Sequence, residues 1–127
     1  MDGLLLTRGK VVLVPFPLDD LSTTKVRPAV CLTDPVGAHR HVILAFITSR
    51  PPDRFLETDI VIDPAQSEHA TTGLRIQSVL RLHRLMTVST SLLQRELGEL
   101  SSDTQAEVDS KIRKLFALGD PASGSRP

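Results

Sequence analysis

Apolar positions come in short, turn-bounded runs along most of this chain and take up helical spacing only near its end. Residues 11–16 read Val-Val-Leu-Val-Pro-Phe, and the β-branched enrichment over so short a run predicts a strand. Gly9 suits a turn before it. Pro15 and Pro17 cannot donate to a ladder, so they make its end an edge or an exit. Asp19 to Lys25 is polar, lacks any period and is rich in turn formers, which predicts an exposed loop. Pro28 pushes Arg27 toward extended backbone angles. Ala29-Val30-Cys31-Leu32 then begins a second strand, closed by the turn residues of Thr33 to Gly37. His41 to Thr48 is apolar on both faces and so predicts a central strand. After the break at Pro51-Pro52-Asp53, Thr58 to Ile62 alternates as a fourth. Gly73 to Leu82 holds one or two more around Leu74, Ile76, Val79 and Leu82, and Leu93 to Leu97 adds another.

The last element follows a different rule. Ser102 and Gln105 have the spacing of a capping box, and Val108, Ile112, Leu115 and Phe116 then fall on one face of a helix. Lys111, Arg113 and Lys114 sit where cations favour the helix dipole, and Gly119 and Pro121 stop the element. Strands followed by one amphipathic helix predict a mainly β fold, a small bent sheet or barrel with a helix docked on it. A single domain over residues 1–120 and a disordered tail over 121–127 are expected.

Composition narrows the picture. With 3% aromatic residues and no Trp or Tyr, the core must be Val, Leu and Ile, joined by Phe16 and the few other rings. Fifteen basic and fifteen acidic residues cancel, which argues against a protein that holds nucleic acid by bulk charge but leaves room for a local basic groove. One cysteine, Cys31, cannot close an internal disulfide and fits a reducing cytosol. The apolar run Leu4-Leu5-Leu6 is too short for secretion or for spanning a bilayer, so a cytoplasmic protein is expected. His39, His41, His69 and His83 show no metal-ligand spacing, and no phosphate-cradling Gly-rich loop is present, so no metal and no cofactor is expected. A Cys-His nucleophilic site is conceivable from composition, but Cys31 lies in an apolar run and reads better as a buried structural thiol.

Three blocks together resemble the PemK/MazF family of toxins. The first is Gly9-Lys10-Val11-Val12-Leu13-Val14-Pro15-Phe16-Pro17 with Lys25-Val26-Arg27-Pro28-Ala29-Val30 after the loop. The second is Ala45-Phe46-Ile47-Thr48-Ser49, and the third runs from Gly73 to Leu82 and on through Leu97-Gly98-Glu99-Leu100-Ser101 to the helix. The resemblance covers roughly residues 9 to 118. It implies an SH3-like barrel of the PemK/MazF/CcdB type with a C-terminal helix, acting as a homodimer. It also implies metal-independent, sequence-selective cleavage of single-stranded RNA to 2′,3′-cyclic phosphate and 5′-hydroxyl ends, blocked by a cognate antitoxin. Two departures stand out: many members have Gly-Asp where this chain has Gly9-Lys10, and several carry a carboxylate where this chain has Gln77.

The Arg-Pro-Ala match places the family's catalytic Arg on Arg27, and the Ile-Thr-Ser match places its catalytic hydroxyl on Thr48, with Ser49 able to share the role. A guanidinium offers fixed donors to a charged phosphorane and is a poor general base. The plain alternatives are a surface Arg fixing a loop and a Thr chosen for strand propensity. Lys25, Arg50, Arg75, Gln77, Ser78 and Arg81 make up the expected substrate contacts, with Arg84 as a further cation. Arg75 and Arg81 would share a face if one strand carried both. The loops Asp19 to Val26 and Arg50 to Glu57 would set the RNA sequence recognised. A different class, a non-enzymatic toxin on the same barrel like the CcdB gyrase poisons, depends on a Trp-Gly-Ile ending, whereas this chain ends Gly-Ser-Arg-Pro. A catalytically silent relative acting as a binding module is a third.

Overall fold

The computed structural model describes residues 6–15 and 25–119. The core role expected of Phe16, most of the loop Asp19 to Lys25, the stop at Pro121 and the tail over 121–127 lie outside the described residues. Six strands, β1 (Lys10–Pro15), β2 (Val26–Cys31), β3 (His41–Thr48), β4 (Asp59–Ile62), β5 (Ser78–Ser89) and β6 (Arg95–Glu99), precede one helix, α1 (Ser102–Leu115). They form one antiparallel sheet in the order β4-β5-β3-β2-β1-β6, curled into a half-barrel whose two edges are β4 and β6. A 3₁₀ turn, Ser67–Thr72, and α1 fill the side between those edges. No helix among the described residues is long and apolar enough to cross a membrane.

The sheet is buried on both faces, which is why its strands read as apolar runs. Val12, Val14, Ala29, Cys31, Val42, Leu44 and Phe46 pack with Leu6, Val88 and Leu93 on one face. Val11, Val30, Ala45, Ile47, Ile60, Ile62, Leu80 and Leu82 pack with Leu100, just before α1, and with Val108 of α1 on the other. The period of two assigns alternate residues of β1, β2 and β3 to the two clusters. β3, expected to be central, lies between β5 and β2. Burial pushes the Cys31 thiol up to about 12, so the structural reading of this residue holds.

Four expectations shift. β2 begins at Val26 rather than Ala29, with Arg27 and Pro28 inside it, paired to Val14 and Leu13 of β1. Pairing with β3 starts only at Ala29, so the N–H that Pro28 lacks is not missed on that side. Gly73 to Gln77 is not strand. A single β5 starts at Ser78 and runs on to Ser89, so Arg75 and Arg81 do not share a strand face. The second half of β5 is hidden from the period by a bulge: Ala45 pairs with Leu85 but Ile47 with Leu80, leaving Phe46 opposite Arg81 to Arg84. The α1 cap is Ser101, one residue earlier than expected. Its Oγ accepts from the Thr104 N–H at 3.2 Å, while Gln105 Nε2 donates to Asp109 Oδ1 instead. Buried Leu100, whose N–H donates to the Gly9 carbonyl, fixes which of the two serines caps. Finally, α1 ends before Gly119. Ala117 takes the left-handed conformation at φ 57°, its N–H donating to the Lys114 carbonyl and that of Leu118 to Arg113, and Phe116 is exposed rather than part of the buried stripe.

Candidate functional site

Arg27 and Thr48 line one cleft. Ala29 of β2 stands opposite Phe46 of β3, the last pair of that ladder, and Arg27 and Thr48 lie two residues further along each strand. Both lie where the strands leave the core: the buried run of β2 starts at Ala29, and that of β3 stops at Ile47. Lys25, Arg27, Phe46, Ile47, Thr48, Ser49, Arg50, Arg81 and Arg84 line a cleft of about 510 Å³. Five of these nine are cations, and among the described residues no carboxylate lines the cleft. Among its described residues, a chain of zero formal charge thus gathers cations in one concave site.

An adjoining cleft of about 410 Å³ shares Lys25, Arg27, Ile47 and Ser49 with the first and adds Val26, Pro28, Leu74, Arg75, Ile76 and Ser78. Its added walls are mostly apolar. The expected contacts Lys25, Arg50 and Arg81 therefore meet Arg27, Thr48 and Ser49 in the first cleft, and Arg75 and Ser78 join through the second. Gln77 is exposed and lines neither. Ser78 is buried and its Oγ donates to the Ile76 carbonyl at 3.0 Å, which engages that hydroxyl in shaping the chain.

The Thr48 Oγ1 accepts from the Arg50 N–H at 3.1 Å, tying the end of β3 to the start of the next loop. Its own proton has the Arg50 carbonyl at 3.4 Å as partner, a long contact. Arg81 is held differently. Nε and Nη2 donate to Asp59 Oδ1 and Oδ2 at 3.1 and 3.2 Å, and the Asp59 carboxylate is buried. Asp59 was not legible as a site residue. It sits in an alternating strand among apolar neighbours, and its partner lies across the sheet, twenty-two residues away.

The two departures from the family pattern have local accounts. Lys10 of β1 meets Glu99 and Glu96 of β6 at 3.0 and 3.1 Å, so a cation belongs there; the hydrogen bond to Glu99, then that to Glu96, holds its pKa above the ordinary range. Exposed Gln77 stands outside both clefts. His39 and His41 are exposed, as expected, while His69 is buried against Thr104 of α1, with Nδ1 and Oγ1 3.4 Å apart. Among the described residues no group of three or more His, Cys, Asp or Glu lies close enough to hold a metal ion.

Among curated proteins, no sequence matches the chain significantly. Solved structures do match. A Mycobacterium tuberculosis toxin, MazF-mt6, superposes at a TM-score of 0.64 with 23% identity, over 87% of this chain and 99% of its own. MazF from Deinococcus radiodurans gives 0.64 with 19% identity, over 91% and 99%. A mycobacterial endoribonuclease, crystallised with its cognate antitoxin, gives 0.65 with 16% identity, over 91% and 99%. At these identities the likeness establishes the fold. The sequence profile described as the PemK-like, MazF-like toxin of type II toxin–antitoxin systems matches residues 7–116, nearly the whole folded chain, and the protein belongs to that family.

Proposed function

We propose that this chain is an endoribonuclease that cuts single-stranded RNA in the cytoplasm and is silenced by a cognate antitoxin. The observation that carries this reading is the cleft lined by Arg27, Thr48, Ser49 and four further cations, with no carboxylate among its described lining residues. In the reaction the 2′-oxygen bonds to phosphorus, its proton leaves to solvent, the P–O5′ bond breaks, and the 5′-oxygen ends protonated. Arg27 supplies fixed donors to the equatorial oxygens as they gain charge. The Thr48 hydroxyl orients the phosphate or the attacking 2′-hydroxyl, and Ser49 stands beside it. Lys25, Arg50, Arg81 and Arg84 hold the flanking phosphates, and the apolar walls of the adjoining cleft receive a base. Purified protein in excess EDTA should still cut single-stranded RNA and leave 2′,3′-cyclic phosphate and 5′-hydroxyl ends. Activity lost on chelation and restored by magnesium would overturn the metal-free route. Tight RNA binding without cleavage would instead favour a silent binding module.

Assembly as a homodimer belongs to the same proposal. Ile43, Leu85, Phe116 and Leu118 are exposed apolar side chains that line one groove between α1 and the sheet with Leu32 and Ile112. A second copy covering this face would remove that area from water, and closed pairs are the commonest assembly. Sedimentation equilibrium at micromolar concentration should give twice the monomer mass of 13.9 kDa, and Phe116→Asp should shift the mass toward monomer. An active species at the monomer mass would remove the dimer from the mechanism.

A further inference from the structure

We propose that Asp59 is a positioning residue for RNA binding: buried at the edge of the basic cleft, it locks the Arg81 guanidinium as a fixed phosphate fork. The inference rests on the ribonuclease reading and adds a residue to its site. Asp59 of β4 stands opposite Arg81 of β5 in the ladder. The carboxylate is 1% exposed and its partner's side chain 19%. Oδ2 also accepts the Leu56 N–H at 2.9 Å, and from the other side of β4 Lys111 of α1 donates to the Asp59 carbonyl at 2.8 Å. Lys111 is itself held by Glu107 at 3.0 Å. Asp59 is therefore fixed by its own loop, by β5 and by α1.

A carboxylate this deeply buried must keep its cation, because losing it would strand a charge out of water. That ties down Arg81 in turn. A guanidinium carries five N–H donors. The side-on pairing spends one on Nε and one on Nη2, leaving both hydrogens of Nη1 and the second of Nη2 for the cleft that Arg81 lines. Lys25, Arg50 and Arg84 make no ion pair among the described residues, so each must be ordered when RNA arrives. Arg81 is ordered beforehand, and its contact costs less side-chain entropy. The pair is neutral at a distance, so its contribution is directional donation rather than bulk attraction.

The test uses full-length protein, a transcript that wild type cuts, and a randomised single strand methylated at every 2′-oxygen, which cannot be cut. Asp59→Asn should weaken binding of the methylated strand and raise KM by about tenfold, with kcat within about twofold. Arg81→Ala should do the same, and combining the two should weaken binding no further. Arg81→Lys keeps the charge but cannot fork, and should bind about as poorly as Arg81→Ala. Asp59→Asn that binds as wild type, or a double variant whose losses add, overturns the inference. If Asp59→Asn does not fold, Arg81→Lys decides: wild-type affinity there overturns the inference equally. Wild-type protein that cuts no RNA overturns the ribonuclease reading and this inference with it, whereas wild-type cleavage with variants whose KM is unchanged overturns the inference alone.

Discussion

Arg27→Ala should slow RNA cleavage by about 10²-fold to 10³-fold while leaving the fold intact. The magnitude follows from what the side chain is placed to do. Five cations line the cleft among the described residues, but Arg27 is the one that lies, with Thr48, just past the end of the β2–β3 ladder, at the point where both strands leave the core. A donor aimed at charge that develops only in the transition state acts on kcat, whereas a cation that merely gathers phosphate acts on KM. Arg27 is exposed, and its strand is anchored from Ala29 onward by buried residues, so truncation should leave the thermal transition close to wild type. Arg27→Lys should remain strongly impaired, because a single ammonium cannot reproduce the fork. Single-turnover cleavage of a saturating transcript separates the effects. A purified, folded Arg27→Ala protein that cuts as fast as wild type would remove Arg27 from the chemistry. Loss confined to KM would demote it to a phosphate contact.

The elements were legible where the period stayed clean. β1, β3, β4 and the body of α1 appear in the sequence because Val11 to Val14, His41 to Thr48, Thr58 to Ile62 and Val108 to Ile112 keep one rule throughout. β5 was half-hidden because its bulge sets Arg81 to Arg84 opposite a single residue, breaking the alternation. The helix start slipped by one because Ser101 and Ser102 are both good caps, and only the anchoring of Leu100 against Gly9 decides between them. The helix end was misread because Ala117, not a glycine, takes the left-handed turn. The cleft shows the same division. Arg27 and Thr48 are carried by short motifs that can be read along the chain. Asp59 acts through a partner across the sheet, and nothing local distinguishes it from a surface carboxylate on an edge strand.

The largest expected loss of stability lies in a seam with no charge and no large side chain. Gly98 of β6 faces the 3₁₀ turn Ser67–Thr72, and Gly73 ends that turn. A Cβ on Gly98 would overlap the Thr71 carbonyl oxygen and lie 2.6 Å from the Thr72 carbonyl carbon. A Cβ on Gly73 would overlap the Leu97 carbonyl oxygen and lie 2.6 Å from its carbon. Every one of these obstacles is backbone, so no side chain can rotate aside and the seam itself must open. Gly73 also sits at φ +78°, where an L side chain is strained even in open space. The seam matters because it joins the turn after β4 to β6, the two edges the sheet ladder leaves unpaired. Thr71 Oγ1 donates to the Glu99 carbonyl at 3.0 Å across it, and Thr72 is fully buried beside it. Opening it would also disturb Leu97 and Leu100, which pack into the cluster beneath α1. Gly98→Ala should therefore cost about 3 kcal/mol or more, and Gly73→Ala at least as much. Gly37→Ala is the control for backbone strain alone: its φ is +79° but nothing stands within 4 Å of the added carbon, so it should cost about 1 kcal/mol. Urea unfolding of the three variants gives the comparison directly. Gly98→Ala melting within about 2 °C of wild type would show that β6 can slide off the turn without loss, and that the half-barrel does not depend on this contact to close.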